Sequence, residues 1–131
     1  MSAQRPLLAP NSINPFVNGV SMATSINCPP TIIQMLPGIS YDISWTGAPV
    51  GVFTVQVSNS YRQNADGTVA NPGNWTVLPP SSFRGTYPVP SGTAGNGFLD
   101  VVGTEAYAIQ LVYTAASGSG SLTVVPCAKV L

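Results

Sequence analysis

Histidine is absent from this chain, and ionisable side chains of every kind are scarce. Four bases (Arg5, Arg62, Arg84, Lys129) and four acids (Asp42, Asp66, Asp100, Glu105) make up 6% of the residues, against about 25% in an ordinary globular protein. Each shortage excludes something. Without histidine, acid–base catalysis near neutral pH loses its commonest group. A carboxylate pair could replace it, but the four acids fall in different segments. Asp100 and Glu105 read as solvated ends of a turn over 101–104. Metal sites gather Cys, His and acids into clusters, and Cys28 and Cys127 lie far apart in the chain. Neither a Gly-x-Ser-x-Gly elbow nor a phosphate-cradling loop is present. The expectation is a chain that is not an enzyme, with no catalytic residue, no metal and no cofactor.

Partners are narrowed in the same way. Four scattered bases cannot form the basic stripe that nucleic acid requires, nor the cluster that an anionic membrane attracts. No apolar run approaches the roughly 20 residues of a spanning helix. The segment Met1–Pro10 lacks the apolar core of a secretory signal, so synthesis in the cytoplasm is expected. That setting favours free thiols at Cys28 and Cys127 over a disulfide. It also makes Asn74-Trp75-Thr76 a chance match to the glycosylation pattern. Net charge is zero, which gives a free monomer little colloidal protection. Two accounts of the surface remain open: neighbours cover much of it, or Ser, Thr, Asn and Gly hydrate it.

What the chain does have is turn residues and alternation. Thirteen prolines and thirteen glycines suit many turns and no long helix. Residues 1–14 read as an extended arm, because Pro6 and Pro10, with Pro15 just beyond, forbid a helix. Its apolar Leu7, Leu8 and Ile13 would lie on its own domain or clasp a neighbouring subunit. Residues 15–131 read as one β domain. In Phe16–Asn27, Val20, Met22, Thr24 and Ile26 alternate with small residues. Thr31–Leu36 is a short apolar strand. Ile39, Tyr41, Ile43 and Trp45 mark one face of an amphipathic strand, and Phe53, Val55 and Val57 mark another within Val52–Ser60. Tyr61–Asn74 reads as a long polar loop with turns at Asp66-Gly67 and Asn71-Pro72-Gly73. Trp75–Leu78 and Phe98–Val102 are short strands. Between them, Ser81–Gly97 is loop-like, anchored by Phe83, Tyr87 and Val89, and Tyr87–Pro90 should run extended. Tyr107, Ile109, Leu111 and Tyr113 alternate strongly. Ala116–Gly120 then suggests a hairpin that brings Leu122–Val125 alongside. About eight turn-bounded strands predict an all-β fold: a single-domain antiparallel β-sandwich, with the jelly roll as one form of it.

The large aromatics Trp45, Tyr61, Trp75 and Tyr87 could pack in the core or stack on a ligand such as a sugar. Tyr61 and Tyr87, in loops, are the better candidates for exposure.

Four segments in order carry a resemblance: Val55–Ser60, Gly73–Leu78, Ala106–Tyr113 and Gly118–Val124. Together they resemble small β-rich virion structural proteins of tailed bacteriophages over about residues 50 to 125. Those proteins show a strand ending in Val-Ser-Asn, a Trp-Thr strand, and an Ala-Tyr-Ile-x-Leu-Val-Tyr strand leading to a Ser-Gly-Ser-Gly turn. Gln110 stands where an arginine would be expected, so a salt bridge there is not carried over. The resemblance implies a non-enzymatic protein of the phage particle and leaves head or tail open; with the small size, the scarce charge, the apolar arm and the sandwich fold, the expectation is a capsid decoration or cement protein. It would sit on the capsid surface of the virion as a homotrimer, touching the major capsid protein and copies of itself. The partner-binding candidates are Leu7, Leu8, Ile13, Tyr61, Trp75 and Tyr87. The competing reading is a tail or fibre module that binds a cell-surface glycan through Tyr61, Trp75 and Tyr87.

Overall fold

Residues that alternate apolar and polar along an extended chain put one face against a partner layer and the other toward solvent. The computed structural model describes residues 17–33, 38–93, 95–102 and 106–129; the strand over Gly38–Trp45 follows this rule, whereas in the strand over Ala108–Ser117 the first six residues are buried on both faces. In chain order the strands are β1 (Val17–Ser21), β2 (Ile26–Asn27), β3 (Thr31–Ile32), β4 (Gly38–Trp45), β5 (Val50–Ser58), β6 (Arg62–Gln63) and β7 (Val69–Asn71). They continue with β8 (Thr76–Val77), β9 (Phe83–Arg84), β10 (Val89–Pro90), β11 (Asn96–Val102), β12 (Ala108–Ser117) and β13 (Ser121–Lys129). One 3-10 turn spans Pro80–Ser82. Among the described residues there is no α-helix.

Two antiparallel sheets carry the fold. Sheet I has the order β1-β13-β4-β11-β9. Sheet II has the order β10-β5-β12-β2, with β3 also on β12 and β8 also on β5. Apart from the small β6–β7 ribbon, no described strand pairs with its immediate chain neighbour. The chain passes from one sheet to the other at β1–β2, β3–β4, β4–β5, β8–β9, β9–β10, β10–β11, β11–β12 and β12–β13. Four strands of sheet I (β1-β13-β4-β11) face four positions of sheet II (β2/β3-β12-β5-β10), which is the eight-stranded jelly-roll order.

The core lies between the sheets. Ile39, Tyr41, Ile43 and Trp45 of β4 pack with Leu99 and Val101 of β11 and Leu122 and Val124 of β13. Opposite them are Phe53 and Val55 of β5 and Ile109, Leu111 and Tyr113 of β12. An aromatic contact bridges the layers, Trp45 lying 5.5 Å from Phe53, and within sheet II Phe53 lies 4.8 Å from its cross-strand partner Tyr113, centroid to centroid. The Trp45 indole N–H donates to the Gly92 carbonyl at 2.8 Å, so the buried ring leaves no donor unpaired. Each large side chain buried this way contributes about 1.5–3 kcal/mol.

Several expectations are corrected. The hairpin of 107–114 with Leu122–Val125 does not form: β12 belongs to sheet II, whereas β13 pairs with β1 and β4 in sheet I. The Ser117–Ser121 connection instead arches between sheets. It packs on the β4–β5 arch, where Ala48 N–H donates to the Ser119 carbonyl and Thr46 N–H to the Ser121 carbonyl. Phe16–Asn27 is not one strand. Described from Val17, it breaks at the buried Met22 and changes sheet between β1 and β2. Ser25, in the corner, accepts the Ala115 N–H at 2.9 Å. The polar 61–74 loop contains the β6–β7 ribbon, closed at Asn64–Thr68. Ser81–Gly97 contributes β9 and β10, and its Tyr87–Pro88 bond is cis. Phe83 and Val89 are buried and Tyr87 is half-buried, as anchors should be. The arm of residues 1–14, with Leu7, Leu8 and Ile13, lies outside the described residues.

Candidate functional site

The 59–75 excursion between β5 and β8 is where sequence reasoning placed Tyr61 and Trp75, and it is tightly built. The Ser58 hydroxyl accepts the N–H groups of Ser60 and Tyr61, which turns the chain sharply at the end of β5. Ser60 Oγ then accepts the Asn74 N–H at 2.8 Å, tying the far end of the excursion back. Gly73, at φ +75°, sits so close that a Cβ would lie 2.7 Å from both Ser58 Oγ and the Tyr61 nitrogen. Only glycine fits both the conformation and the space. The Tyr61 and Trp75 rings meet at 5.5 Å, and Trp75 donates its indole N–H to the Pro72 carbonyl. Arg62 stacks its guanidinium 4.0 Å over the Tyr107 ring and donates to the Asn59 and Tyr61 carbonyls. The Asn59 side-chain oxygen accepts the Tyr107 N–H at 2.9 Å. A cleft of about 150 Å³ lies beside this cluster, lined by Val57, Ser58, Asn59, Asn74, Thr76 and Ala106.

These contacts bury Tyr61 and leave Trp75 half-buried. Tyr61 is only 3% exposed, and its hydroxyl accepts from Gln63 Nε2. Tyr87 stands elsewhere, stacked on Phe83 at 3.8 Å and 12°. Its hydroxyl accepts the Val55 N–H at 3.0 Å, on the edge of β5 between the residues that pair with β10 and those that pair with β8. The hydroxyl therefore fills a gap in the backbone ladder. Burial pushes its pKa up, partly opposed by the Val55 N–H. Tyr61 and Trp75 are thus brought together, and Tyr87 has a separate structural position.

The thiols are also set apart. Cys28 is buried and free, and burial pushes its pKa up to about 12. Cys127 is free and exposed on β13. On sheet I the pairing does what the sequence did not reveal. The β4–β11 register sets Phe98 opposite Asp42 and Asp100 opposite Ser40, so the two carboxylates share the outer face as diagonal neighbours. Arg84 reaches Asp100 at 3.9 Å. Both groups of this ion pair are substantially exposed, and such a pair contributes little. Phe98 is 60% exposed on the same face. No cluster of three or more His, Cys, Asp or Glu occurs among the described residues.

Sheet II presents the opposite character. The outward positions of β5 are Val52, Thr54, Gln56 and Ser58, and those of β12 are Ala108, Gln110, Val112 and Thr114; of these, Ser58, Ala108, Gln110 and Val112 are buried within the chain. Flanking strands add Asn27, Ile32, Val77 and Pro90 in register. None of the twelve is ionisable. At the centre, Gln110 Nε2 donates to Gln56 Oε1 at 2.9 Å. The alternating residues of β5 and β12 could be read from the sequence. That they lie side by side could not, because fifty residues or so separate them along the chain.

Comparison with known families, with curated proteins and with solved structures returns no match.

Proposed function

We propose that the protein is a non-enzymatic structural component of a phage particle. In this reading it is a decoration protein on the outside of the head, in contact with the major capsid protein and with copies of itself. The observation that carries the proposal is the outward side of sheet II, where none of twelve positions is ionisable and Asn27, Val52, Val77, Pro90 and Thr114 are exposed. Such a face suits burial against protein, since no charge has to be desolvated. The mechanism is mechanical. Apolar contacts contribute about 25 cal/mol per Å², and their repetition over a shell sums to a large resistance against outward pressure. Phe98 on the opposite face supplies an exposed aromatic anchor of the kind that dominates interfaces. The resemblance over residues 50 to 125 points the same way.

The glycan-binding alternative needs open rings, and no observation favours it. Tyr61 is buried under its own loop, and Tyr87 lies against Phe83. Imaging of the particle with the chain labelled tests the proposal: many copies over the head support it, and a few copies at one vertex overturn it.

A further inference from the structure

We infer that Asn18 is a site of self-modification: its side-chain amide is converted to a carboxylate, without an enzyme, through attack by the Gly19 backbone nitrogen. The inference is independent of the phage-particle reading.

Asparagine followed by glycine is the dipeptide in which this reaction is easiest. Glycine has no Cβ to hinder the approach of its own nitrogen, and the peptide that joins the two is free to turn. The Gly19 nitrogen bonds to Asn18 Cγ, and the Cγ–Nδ2 bond breaks. Nδ2 leaves as ammonia, taking the proton that the Gly19 nitrogen gives up. Water then opens the cyclic imide. Entry at Cγ leaves aspartate; entry at the main-chain carbonyl leaves isoaspartate, with the chain running through Cγ. In sum, asparagine and water give an acid and ammonia, so no oxidant or cofactor is needed.

The dipeptide occurs twice, as Asn18-Gly19 and Asn96-Gly97, and only the structure separates the two. Both asparagines stand in one row of sheet I: Asn18 opposite Thr123, Thr123 opposite Ser44, and Ser44 opposite Asn96. Both are exposed. Their glycines differ. Gly97 stands opposite Ile43 in an unbroken β4–β11 register. The Trp45 N–H donates to the Gly95 carbonyl, so two residues on, Gly97 and Ile43 form the next hydrogen-bonded pair. Val89 closes on the same backbone, 3.0 Å from where a Cβ on Gly97 would lie. Turning this peptide toward Asn96 Cγ would break the ladder.

β1 is an edge strand, and its register shifts between Asn18 and Val20, so Gly19 has no opposite residue on β13. It sits at φ +69° with open space around it. Its N–H donates to the Thr123 hydroxyl at 3.2 Å, an exposed side-chain contact that can rotate away and leave the ladder intact. Asp66-Gly67 could close the same ring, but there the Gly67 N–H donates to the Asn64 carbonyl at 2.9 Å. Thr68 also donates twice to the Asp66 carboxylate. Conversion at Asn18 gives a chain of zero net charge one negative charge, on the face that already carries Asp42 and Asp100.

The test is incubation of the full chain, folded and in urea, in mildly alkaline buffer made with heavy-oxygen water. Trypsin cleavage after Arg62 and Arg84 places Asn18 and Asn96 on separate peptides, and fragment masses locate each heavy oxygen. In folded protein Asn18 should convert at least about tenfold faster than Asn96. In urea the two should convert at similar rates, since their immediate neighbours are alike. Asn18→Gln should abolish the early acidic species seen on anion exchange. A folded chain in which Asn96 keeps pace with Asn18 overturns the inference. So does one in which Asn18 survives while the urea-unfolded chain loses it, or an early acidic species that Asn18→Gln retains.

Discussion

Gly120 meets Thr46 backbone to backbone: a Cβ on Gly120 would run into the Thr46 carbonyl oxygen. The contact joins two of the arches that carry the chain between sheets, β4 to β5 and β12 to β13. Gly118 repeats it at φ +75°, where a Cβ would lie 2.5 Å from the Ala48 carbonyl oxygen. Backbone cannot yield as a flexible side chain can, so Gly120→Ala and Gly118→Ala should each cost about 3 kcal/mol in urea unfolding. Gly67, at φ +90° with open space around it, should cost only about 1 kcal/mol on the same change. Equal losses at all three positions would mean that the arches do not touch.

Thr31 buries its hydroxyl oxygen with no hydrogen-bond partner among the described residues. It pairs with inward-facing Ile109. Valine has nearly the same shape without the desolvated oxygen, so Thr31→Val should stabilise the fold by about 1 kcal/mol. A denaturation midpoint that falls on this substitution would show that the hydroxyl is satisfied in solution.

The two thiols should react very differently. The exposed Cys127 should titrate at once with a disulfide reagent, and the buried Cys28 only after unfolding. One fast thiol per native chain and two per unfolded chain is the expected count. Two fast thiols in native protein would contradict the packing of the β2–β3 connection.

Alkali should unfold the protein before acid does. Burial raises the Cys28 pKa from 9.0 to about 12 and pushes Tyr41 upward as well, with Cys28 adding to the Tyr41 shift. For groups raised in the folded state, the stability is whole below the unfolded pKa and is lost as pH climbs toward the folded one. The melting temperature should therefore fall from about pH 9 upward. In Cys28→Ala the fall should begin nearer pH 10, where Tyr41 takes over. On the acid side Asp66 is lowered by hydrogen bonds from Thr68. Its contribution is lost only as pH drops through that lowered value, and its full exposure keeps it small. A flat alkaline limb would mean that these groups reach water.

Alternation made β4 and β5 legible: Ile39, Tyr41, Ile43 and Trp45, and Phe53, Val55 and Val57, face inward or toward the core as their spacing says. Alternation states which way a side chain points and is silent on which strand lies beside it. Alternation alone therefore suits Leu122–Val125 to its chain neighbour β12 as well as to its actual partners β1 and β4. A Gly-Ser link serves an inter-sheet arch as well as a hairpin. Pro126 lay beyond the expected end of this strand, yet β13 continues through it. Pro126 there stands opposite Tyr41 of β4. At the candidate site, Tyr61 and Trp75 were recognisable as aromatics beside turns. The burial of Tyr61 and the half-burial of Trp75 depend on Ser58, Ser60 and Gly73, whose roles come from tertiary contacts. The charge-free face was visible only as two separate half-patterns until the β5–β12 register joined them.

The most direct test of the central claim is binding to heads from which the chain has been stripped, at about 50 mM and about 1 M salt. Surfaces held by uncharged contacts are indifferent to screening. The chain should sediment with the heads equally at both concentrations. Release in about 1 M salt, or no binding at either, would contradict the account.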